Sequence, residues 1–267
     1  MVRLVITGVC GRMGGAILKL ASLDTEFRIT HVIEAANHPL VGKRLDVQGR
    51  PGLSFPVEDD MESAIDDADV VVDFTETNSS LRNFRLAATK RKAIVIGTTG
   101  FSSEALAEMR NTAQARAVIS PNMSIGVNLL FNLVERAARV LGTDYDAEIV
   151  ELHHKWKKDA PSGTAVRLRD VIENADPGRN WTEVTGRNGM TGERKFDEIG
   201  VFAVRGGDTV GEHTVFFAGI GERVEITHRA YSRDNFARGA LAAAKWIVKQ
   251  ERGIFDMNDV LGLNQRV

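Results

Sequence analysis

The chain contains 267 residues, a length that suits one large domain or two domains of moderate size. Hydrophobic residues make up 43% and charged residues 26%, a composition typical of a folded globular protein and not of a disordered or collagen-like one. The 34 Lys and Arg residues nearly balance the 36 Asp and Glu residues, and the net charge is -2. This balance provides no basic field for nucleic acid or an anionic membrane, so neither is expected as a partner.

Cys10 is the only cysteine, which excludes an intramolecular disulfide and a zinc site built from several thiolates. A chain without disulfides suits a reducing, cytoplasmic compartment. The first apolar run, 4–6, stops at glycines, so it predicts a strand and not a signal peptide. No apolar stretch reaches the length of about 18 residues that a membrane-spanning helix needs.

Short β-branched runs alternate with amphipathic, helix-length segments through the first half of the chain. The predicted strands are 4–6, 29–33, 70–72, 94–96 and 118–119, and the predicted helices between them are 13–21, 80–89 and 103–113. This alternation is typical of a mostly parallel, doubly wound α/β sheet. Small or polar residues follow several of these strands, and such sheets bind ligands at that edge.

The pattern changes after Ser124. A predicted helix, 127–141, precedes predicted strands at 147–152, 199–204, 213–217 and 223–228, which read as a mainly antiparallel sheet. Segment 176–197 is rich in polar residues and is predicted to be a long exposed excursion. A final amphipathic helix is predicted at 235–250. The second half therefore predicts a separate α+β domain.

A glycine-rich turn follows the first strand, where Gly8, Gly11 and Gly14 would let backbone N–H groups approach a pyrophosphate at the start of a helix. Glu34 ends the second strand, where an acid would accept hydrogen bonds from an adenosine ribose. This residue favours NADH, and Arg12 is a cation that would allow NADPH as well. The single cysteine within this turn is interpreted as a small packed residue.

Segment 151–164 carries two adjacent histidines, three lysines and Pro-Ser-Gly-Thr. His153 and His154 would point to opposite faces of a strand, so no metal site is predicted there. Histidine and lysine suit proton transfer and the binding of an anion. Ser162 and Gly163 start a helix, which can be capped by the serine and can offer N–H groups to an acidic substrate.

Four segments together resemble the 4-hydroxy-tetrahydrodipicolinate (dihydrodipicolinate) reductase family. They are 8–14 with its Gly-Arg-Met-Gly, 97–101, 122–128, and 151–164 with its His-His-x-x-Lys-x-Asp-Ala-Pro-Ser-Gly-Thr. The resemblance extends through 211–214 and 225–230. It implies reduction of a cyclic imine dicarboxylate, formed from 4-hydroxy-tetrahydrodipicolinate, by NADH or NADPH in diaminopimelate and lysine synthesis.

The same resemblance assigns roles to individual residues. It implies that His153 transfers a proton, that Lys157 is the second proton-donating or charge-stabilising group, and that His154, Gly163 and Thr164 hold the substrate carboxylates. The implied cofactor contacts are Gly8, Val9, Cys10, Gly11, Arg12, Met13, Glu34, Gly97, Thr98, Thr99, Ser120, Pro121, Asn122 and Met123. Many relatives have an arginine after the acidic residue where this chain has Ala35, which argues against strict use of NADPH.

The resemblance also implies a domain organisation and an assembly. A Rossmann-like dinucleotide-binding domain would comprise 1–124 and 235–267, and an inserted domain, 125–234, would bind substrate and form a homotetramer.

Two other functions remain open at the level of the sequence. One is a different two-domain dehydrogenase, such as an amino-acid dehydrogenase, and the other is a non-enzymatic redox sensor, which would have no need of the 153–164 cluster.

Overall fold

The computed structural model describes residues 1–264 and divides the chain into two compact units. One unit comprises Met1–Ile125 with Arg233–Val267, and the other comprises Gly126–Ser232. Residues 265–267, at the end of the predicted segment 235–267, lie outside the described residues.

Strands and helices alternate along most of the first unit and again around the start of the second. In chain order they are β1 Val2–Thr7, α1 Arg12–Ala21, β2 Phe27–Ile33, β3 Arg44–Asp46, β4 Ser54–Glu58, α2 Met61–Ala64, β5 Val70–Asp73, α3 Thr77–Thr89, β6 Ala93–Ile96, α4 Ser103–Asn111, β7 Arg116–Ile119, α5 Ile125–Leu141, β8 Asp146–His153, α6 Gly163–Ala175, β9 Thr182–Val184, β10 Glu198–Arg205, β11 Gly211–Ala218, β12 Arg223–Ala230, α7 Asp234–Ile247, β13 Gly253–Phe255 and α8 Met257–Leu261.

The first unit contains a sheet with the strand order β13-β7-β6-β5-β1-β2-β4-β3 among the described residues. Its pairings are parallel except for that of β3 with β4. Helices cover both faces, because Val70 and Val72 pack in one core with α1 and α7, whereas Val71 packs in a second core with α3 and α4. The predicted doubly wound sheet is confirmed, and continuous burial explains why β5 and β6 have no polar alternation.

Strand β1 lies between β2 and β5, so the chain first extends the sheet on one side of β1 and later on the other. In doubly wound sheets, ligands bind where this change of direction occurs, at the carboxyl ends of the strands. Gly8, Asp73, Gly97 and Ser120 end or follow β1, β5, β6 and β7, so the topology places all four at this edge.

The second unit contains a sheet with the order β12-β11-β8-β10-β9. Strand β11 pairs with β12 and with β8 in antiparallel fashion over seven or eight residues each, whereas β10 pairs with β8 and β9 in parallel. The sheet is therefore mainly antiparallel, as predicted. Alternate residues of β8 and β11, such as Ile149 and Val215, pack in a core with α5 and α6.

Most residues of 176–197, predicted to be a long exposed excursion, are exposed, but part of the segment is ordered against the protein. The segment contributes the edge strand β9, and within it the Arg179 side chain is buried between the rings of Trp181 and Phe196 at 4.0 and 4.2 Å. Cation–π contacts of this kind explain how a polar sequence becomes ordered. Among residues 1–264, no helix combines the length and the apolar character needed to cross a membrane.

Candidate active site

The glycine-rich turn between β1 and α1 requires its glycines for two different reasons. Gly8 has a φ of +66°, in the left-handed region that favours glycine. A Cβ on Gly14 would lie 2.1 Å from the Gly8 carbonyl oxygen, so only glycine allows this close packing of the helix start. The N–H groups of Arg12 and Met13 have no backbone acceptor among residues 1–264, which leaves them available to an anion at the start of α1.

The carboxylate of Glu34, which follows β2, lies against this turn. Its two oxygens accept hydrogen bonds from the backbone N–H groups of Cys10 at 3.0 Å and Ala35 at 2.9 Å. Burial, together with the nearby Glu34 charge, raises the pKa of the Cys10 thiol to about 11. The thiol is therefore protonated near neutral pH, which agrees with the interpretation of Cys10 as a packed residue.

A buried carboxylate, Asp73, organises the neighbouring strand ends. It accepts hydrogen bonds from the hydroxyls of Thr7 at 2.9 Å, Thr75 at 2.9 Å and Thr98 at 3.2 Å, and from the Asn83 amide at 2.6 Å. Thr98 is predicted to contact the cofactor, but its hydroxyl therefore faces the interior of the protein. Thr99, the next residue, is exposed.

The loop after β7 is fixed against α7. The Ser120 hydroxyl donates to the Asn122 carbonyl oxygen at 2.9 Å, and the Met123 side chain is buried. A Cβ on Gly239 of α7 would lie 1.7 Å from the Met123 carbonyl oxygen, so this glycine allows the helix to touch the loop backbone. Pro121 is exposed. The sequence provided no sign that a glycine more than one hundred residues away supports this loop.

In the second unit, the fully buried carboxylate of Glu151 joins three segments of the predicted substrate site. Its Oε2 accepts a hydrogen bond from His153 Nδ1, and its Oε1 accepts one from the Ser162 N–H at 3.0 Å. Arg205 at the end of β10 binds both oxygens, at 2.8 and 3.0 Å, and also donates to the Asp159 carbonyl oxygen at 2.8 Å. One carboxylate thus connects the end of β8, the end of β10 and the start of α6.

Burial by itself would raise the pKa of Glu151, but hydrogen bonds from His153, Arg205 and the Ser162 N–H outweigh it and lower the pKa to about 2. Glu151 is therefore ionised at neutral pH. Possible ligand atoms of Glu151, His153 and His213 lie within 4.8 Å of one another, as a metal site would require. The guanidinium of Arg205 already balances the charge of the carboxylate, which favours the predicted absence of a metal.

His213 of β11 forms another wall of this site. Its Nε2 lies 3.1 Å from the Ser162 hydroxyl, and its ring meets the His153 ring edge to face with centroids 5.2 Å apart. Burial and the neighbouring His153 lower the pKa of His213 to about 3, so its ring is neutral at physiological pH. Of these two histidines, His213 is therefore buried and neutral, and His153 is hydrogen-bonded to the Glu151 carboxylate.

The remaining predicted residues of segment 151–164 lie around this core. Lys157 forms an ion pair with Asp159 at 2.9 Å, which lowers the pKa of that carboxyl group. His154 lies beyond the end of β8, and its Nδ1 is buried with no hydrogen-bond partner among the described residues. Ser162 caps α6 by accepting from the Ala165 N–H at 3.2 Å, as predicted. A Cβ on Gly163 would meet open space.

Sequence reasoning missed four residues of these sites, Glu151, Arg205, His213 and Asp73, as site residues. Glu151 carries a usable signal, because it precedes His153 by two positions on a strand and therefore shares its face. Arg205 and His213 become neighbours only through the register of β10 and β11 with β8, which pairs Arg205 with His153 and His213 with Glu151. No local pattern specifies that register.

Comparisons with known proteins cover almost the entire chain. Residues 2–123 match the family described as Dihydrodipicolinate reductase, N-terminus, and residues 126–261 match Dihydrodipicolinate reductase, C-terminus. The chain is 46% identical to 4-hydroxy-tetrahydrodipicolinate reductase of Syntrophus aciditrophicus, covering 98% of this chain and 99% of the relative. It is 49% identical to the enzyme of the same name from Anaeromyxobacter dehalogenans, covering 98% of each.

Solved structures support the same fold. A dipicolinate-bound dihydrodipicolinate reductase from Paenisporosarcina sp. TG-14 has a TM-score of 0.78 at 24% identity and covers 96% of this chain and 97% of its own. An amine dehydrogenase from Mycobacterium smegmatis shares the fold at 13% identity, with a TM-score of 0.66 and coverage of 96% and 95%. Fold alone therefore does not separate reductases of different substrates, whereas the sequence matches do. The chain belongs to the dihydrodipicolinate reductase family, a family of oxidoreductases that carry out a reduction step in diaminopimelate and lysine biosynthesis.

Proposed function

We propose that this protein reduces the cyclic imine formed by dehydration of 4-hydroxy-tetrahydrodipicolinate, giving tetrahydrodipicolinate, with NADH or NADPH as the reductant. The observation that carries the proposal is His153, whose Nδ1 is bound to the ionised Glu151 beside the start of α6. This arrangement combines a proton-transfer group with an anion-binding helix terminus, as reduction of a dicarboxylate requires.

The first unit, proposed as 1–124 with 235–267, would bind the dinucleotide. Its residues fit that group, because Gly14 allows the start of α1 to pack closely against the Gly8 backbone and the N–H groups of Arg12 and Met13 face the open end of α1. Gly8, Val9, Cys10 and Gly11 would contribute backbone to the same turn. Segments 97–99 and 120–123 would complete the cofactor contacts. The hydrogen bond from the Thr98 hydroxyl to Asp73 would hold the first of these segments in position.

We infer that NADH is preferred and that NADPH is accepted. The Glu34 carboxylate occupies the end of β2, where it would accept hydrogen bonds from ribose hydroxyls and would repel a 2′-phosphate. Ala35 and Ala36 supply no cation. The exposed Arg12 at the start of α1 is the group that would attract a 2′-phosphate and allow use of both cofactors.

The bound nicotinamide supplies the hydride. Glu151 holds His153 through Nδ1, which leaves Nε2 to deliver a proton to the electron-rich intermediate that follows hydride transfer. The N–H groups at the start of α6, with Gly163 and Thr164, would bind one substrate carboxylate, and His154 would bind the other. Lys157 would exchange its ion pair with Asp159 for the charge of the substrate.

The second unit, proposed as 125–234, would also form the contacts of a homotetramer. The face of its sheet opposite α5 and α6 carries apolar side chains, among them Phe202, Val204 and Phe216, and Val204 is 48% exposed. A sheet face of this kind needs a partner in a stable assembly. We also propose that the protein acts in the cytoplasm, which suits a chain with a single cysteine. No nucleic acid or membrane partner is proposed.

Steady-state kinetics on enzymatically generated 4-hydroxy-tetrahydrodipicolinate, with each cofactor in turn, test the proposal. We expect turnover with this substrate, none with a panel of α-amino acids or α-keto acids, and a higher kcat/KM for NADH than for NADPH. His153→Gln should lower kcat about 100-fold or more with a small change in KM, because it removes the proton donor. His154→Ala should mainly raise KM. A His153→Gln enzyme within about twofold of wild-type kcat would refute the proposed role of His153.

A further inference from the structure

A pocket of about 450 Å³ opens at the amino ends of the strands in the first sheet. Val2, Asp69, Lys92 and Arg116, which begin or precede β1, β5, β6 and β7, contribute to its lining. The volume lies within the range of small-molecule sites. Because these strands are parallel, the pocket lies at the edge opposite the glycine-rich turn, roughly 20 Å away along β1. It is therefore separate from the proposed cofactor site.

The pocket is strongly cationic once the existing ion pairs are considered. Its one carboxylate, Asp69, is bound by the Arg3 guanidinium at 2.8 Å, which lowers the pKa of the carboxyl group. Lys90 at the rim is paired with Asp66 at 2.9 Å. Within each of these two pairs, the positive and the negative charge cancel. The three other basic residues of the lining, Arg91, Lys92 and Arg116, determine the net charge of the pocket.

None of these three cations forms an ion pair among the described residues, although the charge of Asp69 also attracts Lys92. Lys92 Nζ donates to the backbone carbonyl oxygens of Asp66 at 2.9 Å and Ala68 at 2.8 Å, which fixes the ammonium at the pocket without balancing its charge. Arg116 Nε is buried and has no acceptor among residues 1–264. A buried donor of this kind lacks the partner that folded proteins normally supply.

Arg91 occupies a backbone position that normally favours glycine. It has a φ of +55°, and it ends α3 in a Schellman motif, in which Arg91 N–H bonds to the Ala88 carbonyl oxygen and Lys92 N–H bonds to that of Ala87. Any residue other than glycine raises the conformational free energy of the backbone at this position. The chain thus places a long cationic side chain at the pocket despite an unfavourable backbone conformation.

We propose that this pocket binds a small polyanion, such as an oligophosphate or a polycarboxylate, through Arg91, Lys92 and Arg116. Two guanidinium groups and one ammonium would each form charge-assisted hydrogen bonds with phosphate or carboxylate oxygens. The concave shape and limited volume favour a small molecule over a nucleic acid. Binding here would be compatible with a dinucleotide at the opposite edge of the sheet.

Isothermal titration calorimetry of the full chain saturated with NADH tests this proposal, with inorganic pyrophosphate and citrate as probes at constant ionic strength. We expect one site per chain for at least one probe, and the stronger of the two identifies the phosphate or the carboxylate as the preferred group. Arg91→Gly and Arg116→Gln should each weaken binding about tenfold, equivalent to 1.4 kcal/mol. Arg110→Gln, which removes an exposed cation of α4 outside the pocket, should leave the Kd within about twofold of the wild-type value.

Arg91→Gly provides the sharpest comparison, because glycine relieves the left-handed backbone and should keep or raise the Tm while binding is lost. That combination supports a binding role for the side chain and excludes global unfolding as the cause. Absence of binding by both probes would overturn the proposal. Equal Kd values for wild type, Arg91→Gly and Arg116→Gln would overturn it as well, and so would equal weakening by Arg110→Gln, which would indicate a general effect of charge.

Discussion

The buried Glu151 provides a quantitative prediction about stability and pH. Its carboxyl pKa falls from an ordinary 4.5 to about 2 in the folded protein. A depressed pKa stabilises the folded state when the group is ionised, so the contribution is complete above about pH 5 and is lost as the pH falls through the folded pKa. The difference between 4.5 and about 2 corresponds to about 3 kcal/mol at pH 7 and roughly 1 kcal/mol at pH 3.

Glu151→Gln keeps the side-chain volume and removes the charge, so we expect it to lower the free energy of unfolding by about 3 kcal/mol at pH 7 and by much less at pH 3. Urea unfolding followed by circular dichroism at both pH values measures the two differences. Glu135→Gln is the matched control, because Glu135 forms an exposed pair with Arg139 on α5 and should contribute under about 0.5 kcal/mol at either pH. An equally large loss for Glu151→Gln at pH 7 and pH 3 would refute the electrostatic explanation.

Three further outcomes are expected in the first unit. Gly14→Ala should raise the Kd for NADH more than about tenfold by fluorescence titration, because its Cβ would lie 2.1 Å from a carbonyl oxygen, whereas Gly15→Ala, whose nearest contact is 3.7 Å, should bind normally. Ala35→Arg should increase kcat/KM for NADPH relative to NADH, since it adds a cation beside the ribose position, and an unchanged ratio would argue against that placement. Asp73→Asn turns a buried acceptor into a partial donor that faces the Asn83 amide, so it should lower the unfolding free energy by about 2 kcal/mol in urea titrations; a loss below about 0.5 kcal/mol would show that the network contributes little.

The fold was largely predictable where a segment is buried on both faces or has a clear period. Strands β1, β5 and β6 each contain a continuous apolar run, and α1 and α5 have one apolar face, so both classes stand out in the sequence. Short edge strands do not. The edge strands β13 and β3 contain three residues each, and β4, which lies next to β3, includes Pro56, so none of the three differs locally from a loop.

The site was predictable where its residues are adjacent in sequence. Segment 151–164 contains His153, Lys157 and the helix start in one continuous run, and the structure keeps the serine cap where it was expected. The groups that hold His153 in place come from β10 and β11 and depend on strand register. Thr98 shows a different limit of the sequence. It follows β6 at the edge of the sheet where ligands are expected, but its hydroxyl points to the buried carboxylate of Asp73.

The ion pair of Glu151 and Arg205 also has a consequence for the order in which the protein becomes active during folding. The two residues are 54 positions apart, and their contact requires the parallel pairing of β8 with β10 across the intervening helix. Closing a long loop before such a contact can form is slow compared with forming helices. Refolding enzyme should therefore regain helical circular dichroism before it regains turnover, because His153, the proposed proton-transfer residue, is held in place only after this distant pairing is complete.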